Sequence, residues 1–464
     1  MPHRFGLTRG GKVATPSVAM AMSLLRKGTM KTFFRFGPDR RAASSLHSVL
    51  LVLAAQLVAH AGNPTFSDAN WVSNSGVPGS NTYVPALVVS GSDLYVANGL
   101  STSDGTGTNY VVQWNGSSWT ALGSGMSGAQ RAVYALAMSG SDLYAGGGFT
   151  KAGGVAVNYV AKWNGSTWSA LGSGMNASVN ALAVSGSDLY AGGFFTRAGG
   201  SNIHFIAKWN GSTWSPLGSG LGGGVRALAV SGSDLYAGGE FNHVAKWNGS
   251  SWSVLGSGMN GLVSALAVSG SDLYAGGNFT VAGGTAATNI AKWNGSSWSA
   301  LGSGISGAIV LALAASGGDL YAGGVFTAAG GSPANAIAKW DGSGWSALGS
   351  GVGGVEFIPP AVRALAVSGN DLYAGGSFTM AGGKASAFLA RAYLERPALS
   401  LFRSGGDVTL SWPAFYDTAL LQQNPDAANS ATWSNANYPL TTNGAIKSAT
   451  VPVTANRVFR LISN

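Results

Sequence analysis

The tripeptide Asp-Leu-Tyr occurs seven times in this chain, and its spacing limits the possible fold more than any other feature. The copies begin at residues 93, 142, 188, 234, 272, 319 and 371, so one unit spans 38 to 52 residues. Repeats of this length indicate a solenoid or a propeller, in which each unit buries its apolar faces against its neighbours. The sequence therefore predicts one array of seven similar units.

Each unit contains four apolar segments of strand length, typified by ALAVSG, DLYAGG, IAKWNG and WSALGSG. Glycine, serine or asparagine separates the segments, which predicts short antiparallel strands joined by tight turns. The Asn-Gly pair between the last two segments favours a type I′ hairpin. In the first unit, a turn centred on Asn115 and Gly116 would place Val112 opposite Trp119. Trp119 and Trp114 would then lie on the same face of the sheet.

The two ends of the array complement each other. Trp71 has the spacing of a fourth-segment tryptophan, although no third segment precedes it. At the other end, the third segment FLARAYL, which contains Ala392, is followed by no fourth segment. A propeller closes when one blade takes strands from both chain ends. We therefore predict an all-β fold with a seven-bladed β-propeller of four-stranded blades, closed by an N-terminal strand.

Composition and charge indicate an exported β-protein. The chain has 72 glycines and only 9% charged residues, which is typical of short strands and turns. Of the formal charge of +9, residues 1–61 carry nearly all, so the remainder lacks the basic surface that nucleic-acid binding requires. In that segment, Arg40 and Arg41 precede the apolar run SVLLVLAAQLVA and the sequence AHA. These features predict a leader and signal peptide over residues 1–61.

The expected product is a secreted or cell-surface monomer with no transmembrane span after signal removal, because the apolar run is too short to cross a bilayer. Met30 precedes the run KTFFRF and is an alternative start to Met1. Cleavage of the signal stays open at this point.

The segments DLYAGG, IAKWN and WSALGSGM resemble the kelch repeat, which has a double glycine after an apolar strand and a later tryptophan. Tryptophan also stands where kelch repeats usually have tyrosine. The resemblance covers residues 66–396, within a predicted propeller domain of residues 62–396, and extends to the galactose-oxidase-like central domains and secreted bacterial repeat proteins. It implies the propeller fold and closure by strand sharing, but no particular function.

Residues 397–464 do not continue the repeat. Stretches such as LSLFRSGGDVTLSWPA and RVFRLIS alternate apolar and polar residues, which predicts a small sandwich of five or six strands. The segment is similar to the fibronectin-III- or immunoglobulin-like modules at the ends of large secreted bacterial proteins. It is small for such a module and is expected to pack on the propeller. Sorting, adhesion and spacing are all open as its role.

The sequence offers few groups for catalysis. A galactose-oxidase copper site needs a tyrosine crosslinked to cysteine, and the chain has no cysteine. The repeated aspartates are predicted to accept hydrogen bonds from turn amides, and no calcium-loop pattern occurs. We therefore predict a non-enzymatic protein with no catalytic residues, metal or cofactor. The alternative is a polysaccharide-acting enzyme that uses Glu240 and Glu356 as its two carboxylates.

Differences in length between the units predict a binding face. In a four-stranded antiparallel blade, the loop between strands two and three and the loop into the next blade lie on the same side, and only these loops vary here. The fourth unit has 11 residues from Tyr236 to Trp247, where 19 are usual. Since loops held by a rigid frame carry function, we predict a notch in the rim at this unit.

The notch is the predicted binding site, with two polar residues at its floor and two on the loop of the third unit. Two further candidates lie in the enlarged loop before the seventh unit. The candidates are Glu240, His243, His204, Arg197, Glu356 and Phe357. Together they predict an interaction scaffold for a protein or carbohydrate ligand. A purely structural repeat array is the other alternative.

Overall fold

A computed structural model describes residues 66–73, 76–77, 83–98, 110–128, 132–241, 244–354, 359–394, 400–404, 407–413, 419–424, 434–443, 446–452 and 458–463. The predicted leader and signal peptide lie outside the described residues. The secondary structure of the described part is strand, apart from the 3-10 turn Asp68–Asn70. No helix in that part has the length and apolar composition needed to cross a bilayer.

Residues 66–394 contain seven antiparallel sheets with four main strands each, counted over the described residues and numbered here by the order of their Asp-Leu-Tyr strands. The first strands are Leu87–Ser90, Val133–Ser139, Val179–Ser185, Val225–Ser231, Leu262–Ser269, Ile305–Ser316 and Ala361–Ser368. The second strands are Asp93–Asn98, Asp142–Gly147, Asp188–Gly193, Asp234–Gly239, Asp272–Asn278, Asp319–Ala329 and Asp371–Ser377. The third strands are Tyr110–Trp114, Val160–Trp163, Ile206–Trp209, Val244–Trp247, Ile290–Trp293, Ile337–Trp340 and Leu389–Tyr393. The fourth strands are Trp119–Ala121, Trp168–Ala170, Trp214–Pro216, Trp252–Val254, Trp298–Ala300, Trp345–Ala347 and Trp71–Val72.

From the second unit onward, successive sheets pack through a glycine of one second strand and a valine that lies in, or just before, the first strand of the next sheet. A Cβ atom added to Gly238 would lie 2.5 Å from the side chain of Val263, so only glycine permits this approach. The last sheet contacts the first in the same way, because a Cβ on Gly375 would lie 2.5 Å from Val84. Four-stranded antiparallel sheets stacked in succession are the architecture of a β-propeller.

The fourth strand of the seventh sheet comes from the N-terminal side of the array. Trp71 pairs with Ala392 and Val72 pairs with Arg391. The Trp71 side chain is fully buried, and its Nε1 donates to the carbonyl oxygen of Leu348 at 3.0 Å. Trp298 donates to Leu255 of the preceding sheet in the same manner, at 2.8 Å. Each such bond joins a fourth strand to the sheet before it.

The turn between third and fourth strands differs from the predicted type I′ hairpin. Trp114 pairs directly with Trp119, so four residues form the loop, and the ring centroids lie 5.2 Å apart. Within the loop, the Oδ1 atom of Asn115 accepts the backbone N–H groups of Ser117 and Ser118 at 3.0 and 2.9 Å. The predicted turn is wrong because the asparagine side chain closes the loop. Both tryptophans nevertheless lie on one face, as expected.

The aspartates of the repeated tripeptide bind side chains of the third strand. In the third sheet, Lys208 Nζ lies 2.8 Å from Asp188 Oδ2, and this hydrogen bond raises the pKa of Lys208. The equivalent ion pairs are Asp142–Lys162, Asp234–Lys246, Asp272–Lys292, Asp319–Lys339 and Asp371–Arg391. Lys208 is the cross-strand partner of Tyr190, which brings its long side chain within reach of Asp188 on the same face. The prediction that these carboxylates bind turn amides is therefore wrong.

Two further sheets follow residue 400. One has the strand order Ser400–Ser404, Asp407–Pro413, Ile446–Pro452 and Leu440–Asn443, and the other has the order Ser434–Asn435, Ala419–Asn424 and Val458–Ser463. The described strands number seven, where five or six were predicted. Trp412 and Leu421, one from each sheet, share an apolar cluster with Val72 and Tyr393 of the seventh propeller sheet. The C-terminal sheets therefore pack on the propeller.

Candidate functional site

A short β-hairpin connects the second and third strands of five units, and in the sixth unit its first arm is the end of the second strand. Its paired segments are Lys151–Ala152 with Val155–Ala156, Arg197–Ala198 with Ser201–Asn202, Val281–Ala282 with Thr285–Ala286, residues 328–329 with Ser332–Pro333, and Met380–Ala381 with Lys384–Ala385. Each hairpin turns through the sequence Ala-Gly-Gly. Both glycines adopt positive φ, for example 59° and 81° at Gly283 and Gly284, which a residue with a Cβ rarely does.

Each hairpin is held by the same three contacts, illustrated by the fifth unit. The Gly283 N–H donates to the carbonyl oxygen of Gly258 at 2.7 Å. Ala282 forms a β-bridge with Met259, in the segment that enters the unit. A Cβ on Gly283 would lie 2.9 Å from the ring of Trp298, so the hairpin backbone packs directly on that tryptophan. We call this surface, formed by a glycine carbonyl, the next residue and the tryptophan, the hairpin seat.

The fourth unit has a seat but no room for a hairpin. Its second strand ends at Gly239 and its third begins at Val244, so only four residues connect them. By position in the repeat, its seat consists of Gly220, Leu221 and Trp252. A cavity of about 340 Å³ lies here, and the described residues that line it are Gly220, Leu221, Gly222, Phe241, Ala245, Trp252, Ser253 and Val254.

Burial shows that the cavity is an uncovered part of the core. Gly220 of the seat is partly buried, whereas the equivalent Gly258 beneath the hairpin of the fifth unit is buried. Phe241 and Leu221 are also partly buried, although their equivalents in the fifth unit are buried. Val254 is 51% exposed. The shorter loop therefore leaves Leu221 and Phe241 partly exposed, whereas their equivalents are buried in the five units that carry a hairpin.

Glu240, which was predicted at the notch floor, is not one of the described residues that line the cavity. It forms an ion pair instead. Its Oε1 atom lies 2.6 Å from the Nη2 atom of Arg226, and the Arg226 Nε also donates to it at 3.0 Å. The Arg226 guanidinium carbon lies 5.1 Å from the ring centroid of Phe194. Since Phe241 follows Glu240 directly, the pair lies beside the cavity.

Arg197 and His204 belong to the third unit, as predicted, and both are exposed. Arg197 begins the hairpin strand Arg197–Ala198. His204 is close to the cavity through its backbone, because a Cβ on Gly220 would lie 2.9 Å from the His204 carbonyl oxygen. The remaining three candidates, His243, Glu356 and Phe357, lie outside the described residues.

The chemistry offered by the described lining is apolar contact plus backbone hydrogen bonding. Sequence reasoning missed Leu221, Trp252 and Val254, which come from strands and connecting segments on either side of the shortened loop. The repeat could have identified them. Residues that contact a hairpin in the other units must lose that contact in the fourth unit, which lacks the hairpin. In the part of the chain that the structure describes, no three His, Asp or Glu side chains form a group that could hold a metal ion.

Neither a protein-family model nor a curated protein matches the sequence. The WD40 β-propeller domain of Doa1 is similar to this chain at 14% identity and a TM-score of 0.45, covering 70% of this chain and 96% of that one. A chain from the structure of YCF48 bound to D1 peptide has 13% identity and a TM-score of 0.47, with coverage of 72% and 100%. A chain from a mitotic checkpoint complex has 17% identity and a TM-score of 0.48, with coverage of 80% and 100%.

Proposed function

We propose that this protein is a secreted or cell-surface scaffold that binds a protein or carbohydrate ligand at the cavity of the fourth unit and catalyses no reaction. One observation supports the proposal most strongly: the seat that five units fill with a hairpin is uncovered in this unit. Its volume of about 340 Å³ is in the range of small-molecule and side-chain pockets. A concave surface lined mainly by apolar and aromatic side chains, with a few polar groups, is the usual form of a ligand site.

The lining suits a ligand with an apolar face and a hydrogen-bond donor. Trp252 and Phe241 offer aromatic surface, which can stack on a sugar ring or an apolar side chain. Both rings pack on the apolar cluster of the fourth unit, and Trp252 also donates to the Leu217 carbonyl oxygen, so the ligand need not order them on binding. The Glu240 carboxylate lies 2.6 Å from Arg226 in an ion pair beside the cavity, so it is already engaged with a protein side chain.

A variant that fills the cavity tests this function. Residues 280–287, TVAGGTAA, form the hairpin of the fifth unit and can be copied between Phe241 and Asn242. We call this chain the filled variant. The wild-type protein should retain a ligand in a glycan array or in a pull-down from extracellular extract, and the filled variant should lose it. A matched control is Val155→Ser, which removes an exposed apolar side chain from the hairpin of the second unit and should leave binding unchanged.

If the filled variant retains the same ligand with the same affinity, the site lies elsewhere. The loop containing Glu356 and Phe357 is then the next candidate. If neither chain retains any ligand, the structural-array alternative replaces the proposal.

We further propose that the propeller is a kelch-like ring of seven blades closed by the strand Trp71–Val72. The pairing of Trp71 with Ala392 and the contact of Gly375 with Val84 support it. A chain that lacks residues 66–73 should expose the edge of Leu389–Tyr393 and associate through it, as measured by light scattering. If that chain stays monomeric and melts at the wild-type temperature, strand sharing does not close the ring.

A further inference from the structure

We infer that the uncovered seat of the fourth unit binds a β-hairpin with an Ala-Gly-Gly turn that is supplied by a partner protein. This inference rests on the proposed binding function and names the ligand class for the same site. It follows from the repeat itself, because the described residues include five copies of the seat that carry a hairpin and one copy, in the fourth unit, on which none lies. The occupied copies show which chemistry the surface accepts.

The backbone groups that hold a hairpin are in place at the vacant seat. In the third unit, the Gly199 N–H donates to the carbonyl oxygen of Gly174 at 2.9 Å. The same bond occurs in the other four hairpin-bearing units, at 2.7 to 2.9 Å. Gly220 occupies the position of Gly174 in the fourth unit. Its carbonyl oxygen is therefore positioned to accept the first glycine N–H of an incoming hairpin.

The neighbouring residue would add strand pairing. Met175 and Met259 form β-bridges with the alanines of their hairpins, Ala198 and Ala282. Leu221 has the same position in the vacant seat. A hairpin that binds here would continue this pairing with its own alanine, which is the β-augmentation mode of peptide recognition.

The tryptophan selects glycine at the turn. In the fifth and sixth units, a Cβ on the first hairpin glycine would lie 2.9 and 2.8 Å from the ring and Cβ of Trp298 and Trp345, a separation that real Cβ atoms do not adopt. Trp252 is held like these two, since its Nε1 donates to the Leu217 carbonyl oxygen at 2.9 Å. Trp252 therefore presents the same surface as Trp298 and Trp345, and no described residue forms a hairpin on it. A partner with alanine at this position would have to displace the tryptophan and adopt a strained positive φ.

The small alanine completes the fit. The five hairpin alanines, at positions 152, 198, 282, 329 and 381, are at most 2% exposed. A larger side chain would need space that the occupied seats do not provide. The partner sequence that matches the seat is therefore Ala-Gly-Gly, with flanking residues that can form two short strands.

The experiment uses a cyclic peptide with the sequence of residues 279–288, FTVAGGTAAT, labelled with fluorescein. Fluorescence anisotropy should show saturable binding to the wild-type chain. A control peptide with alanine in place of both glycines should bind at least about tenfold more weakly, because it cannot adopt positive φ without strain and would collide with Trp252.

Two protein variants locate the binding. The filled variant should show no saturable binding, because its own hairpin occupies the seat. Leu221→Asp should weaken binding by about tenfold or more, because it places a charge in the apolar seat. Because Leu221 is partly exposed, the Leu221→Asp variant should fold, and it can locate the peptide site even if the filled variant does not fold.

Equal affinity of the two peptides, or equal binding by wild-type and filled chains, would overturn the inference. A wild-type dimer that disappears in the filled variant would also overturn it, since a second copy would then be the occupant. If the peptide fails but the filled variant still loses the ligand found by array or pull-down, the hairpin inference is wrong and the proposed function stands. If the filled variant keeps that ligand, the proposed function fails as well.

Discussion

The fourth and fifth units differ mainly in one hairpin, which the fifth unit has and the fourth unit lacks. Both units have the same sheet, with Leu235 paired to Trp247 in one and Leu273 paired to Trp293 in the other. Their tryptophan pairs have nearly the same geometry, with ring centroids 5.4 and 5.5 Å apart. They differ in the eight residues of the hairpin and in the cavity that its absence leaves. The comparison teaches that the hairpin covers the sheet but is not needed to form it.

Replacing the tryptophan of each seat should give the largest difference between the two units. Trp298→Ala should lower the free energy of unfolding by about 3–5 kcal/mol, because it removes a large buried side chain and leaves a cavity beneath the hairpin. Trp252→Ala should cost clearly less, since part of this ring is already exposed to solvent. Urea denaturation of both variants measures the difference. Equal losses would show that the two seats are equally covered in solution.

A smaller effect separates packing from backbone strain at the hairpin. Gly283→Ala should destabilise the protein by about 1–3 kcal/mol, because φ is 59° and the new Cβ would lie 2.9 Å from Trp298. Gly284→Ala is the matched control, since φ is 81° there but the nearest atom to a new Cβ is 3.9 Å away. Thermal unfolding should show a smaller loss for Gly284→Ala. If both substitutions cost the same, the hairpin does not press on the tryptophan.

The smallest effect concerns a turn in which the sixth unit differs from the fifth. Asp341 replaces the asparagine of the fifth-unit turn, and the backbone N–H of Gly344, with Ser343, lowers its pKa from 3.8 to about 2. A lowered folded-state pKa contributes stability that is present above pH 4 and is lost as the pH falls towards 2.

Asp341→Asn should remove this dependence, because an amide oxygen accepts the same hydrogen bonds without titrating. The melting temperature of Asp341→Asn relative to wild type should therefore rise as the pH falls from about 4 to about 2. Melting curves across this range provide the measurement. A constant difference between the two chains would contradict the role assigned to the carboxylate.

The propeller sheets were predictable because the repeat states the same strands seven times. The strand at Trp71 was predictable from its spacing relative to the repeat, and in the structure Trp71 pairs with Ala392. The type of turn after Trp114 was not predictable, because it depends on whether the Asn115 side chain or the backbone closes the loop. The aspartates were misassigned because cross-strand register, which sequence does not display, brings Asp188 to Lys208.

The sequence predicted the unit that contains the candidate site, but it did not predict which residues line that site. The eight-residue deletion pointed to the fourth unit, where the cavity lies. Sequence reasoning then favoured the polar residues inside the shortened loop, such as Glu240, whereas the described lining is mainly apolar. Leu221 and Val254 lie 14 or more residues from Glu240 along the chain, so only the folded repeat shows that they meet.

The central claim is that loss of one hairpin leaves the seat of the fourth unit open, and hydroxyl-radical footprinting read by mass spectrometry tests it most directly. Oxidation rates of Phe241, Phe195 and Phe279 can be compared in one experiment on the wild-type chain and repeated on the filled variant. We predict that Phe241, which is partly buried, is oxidised several-fold faster than the buried Phe195 and Phe279 in the wild type, and at a similar rate in the filled variant. Equal rates for all three phenylalanines in the wild-type chain would contradict the claim.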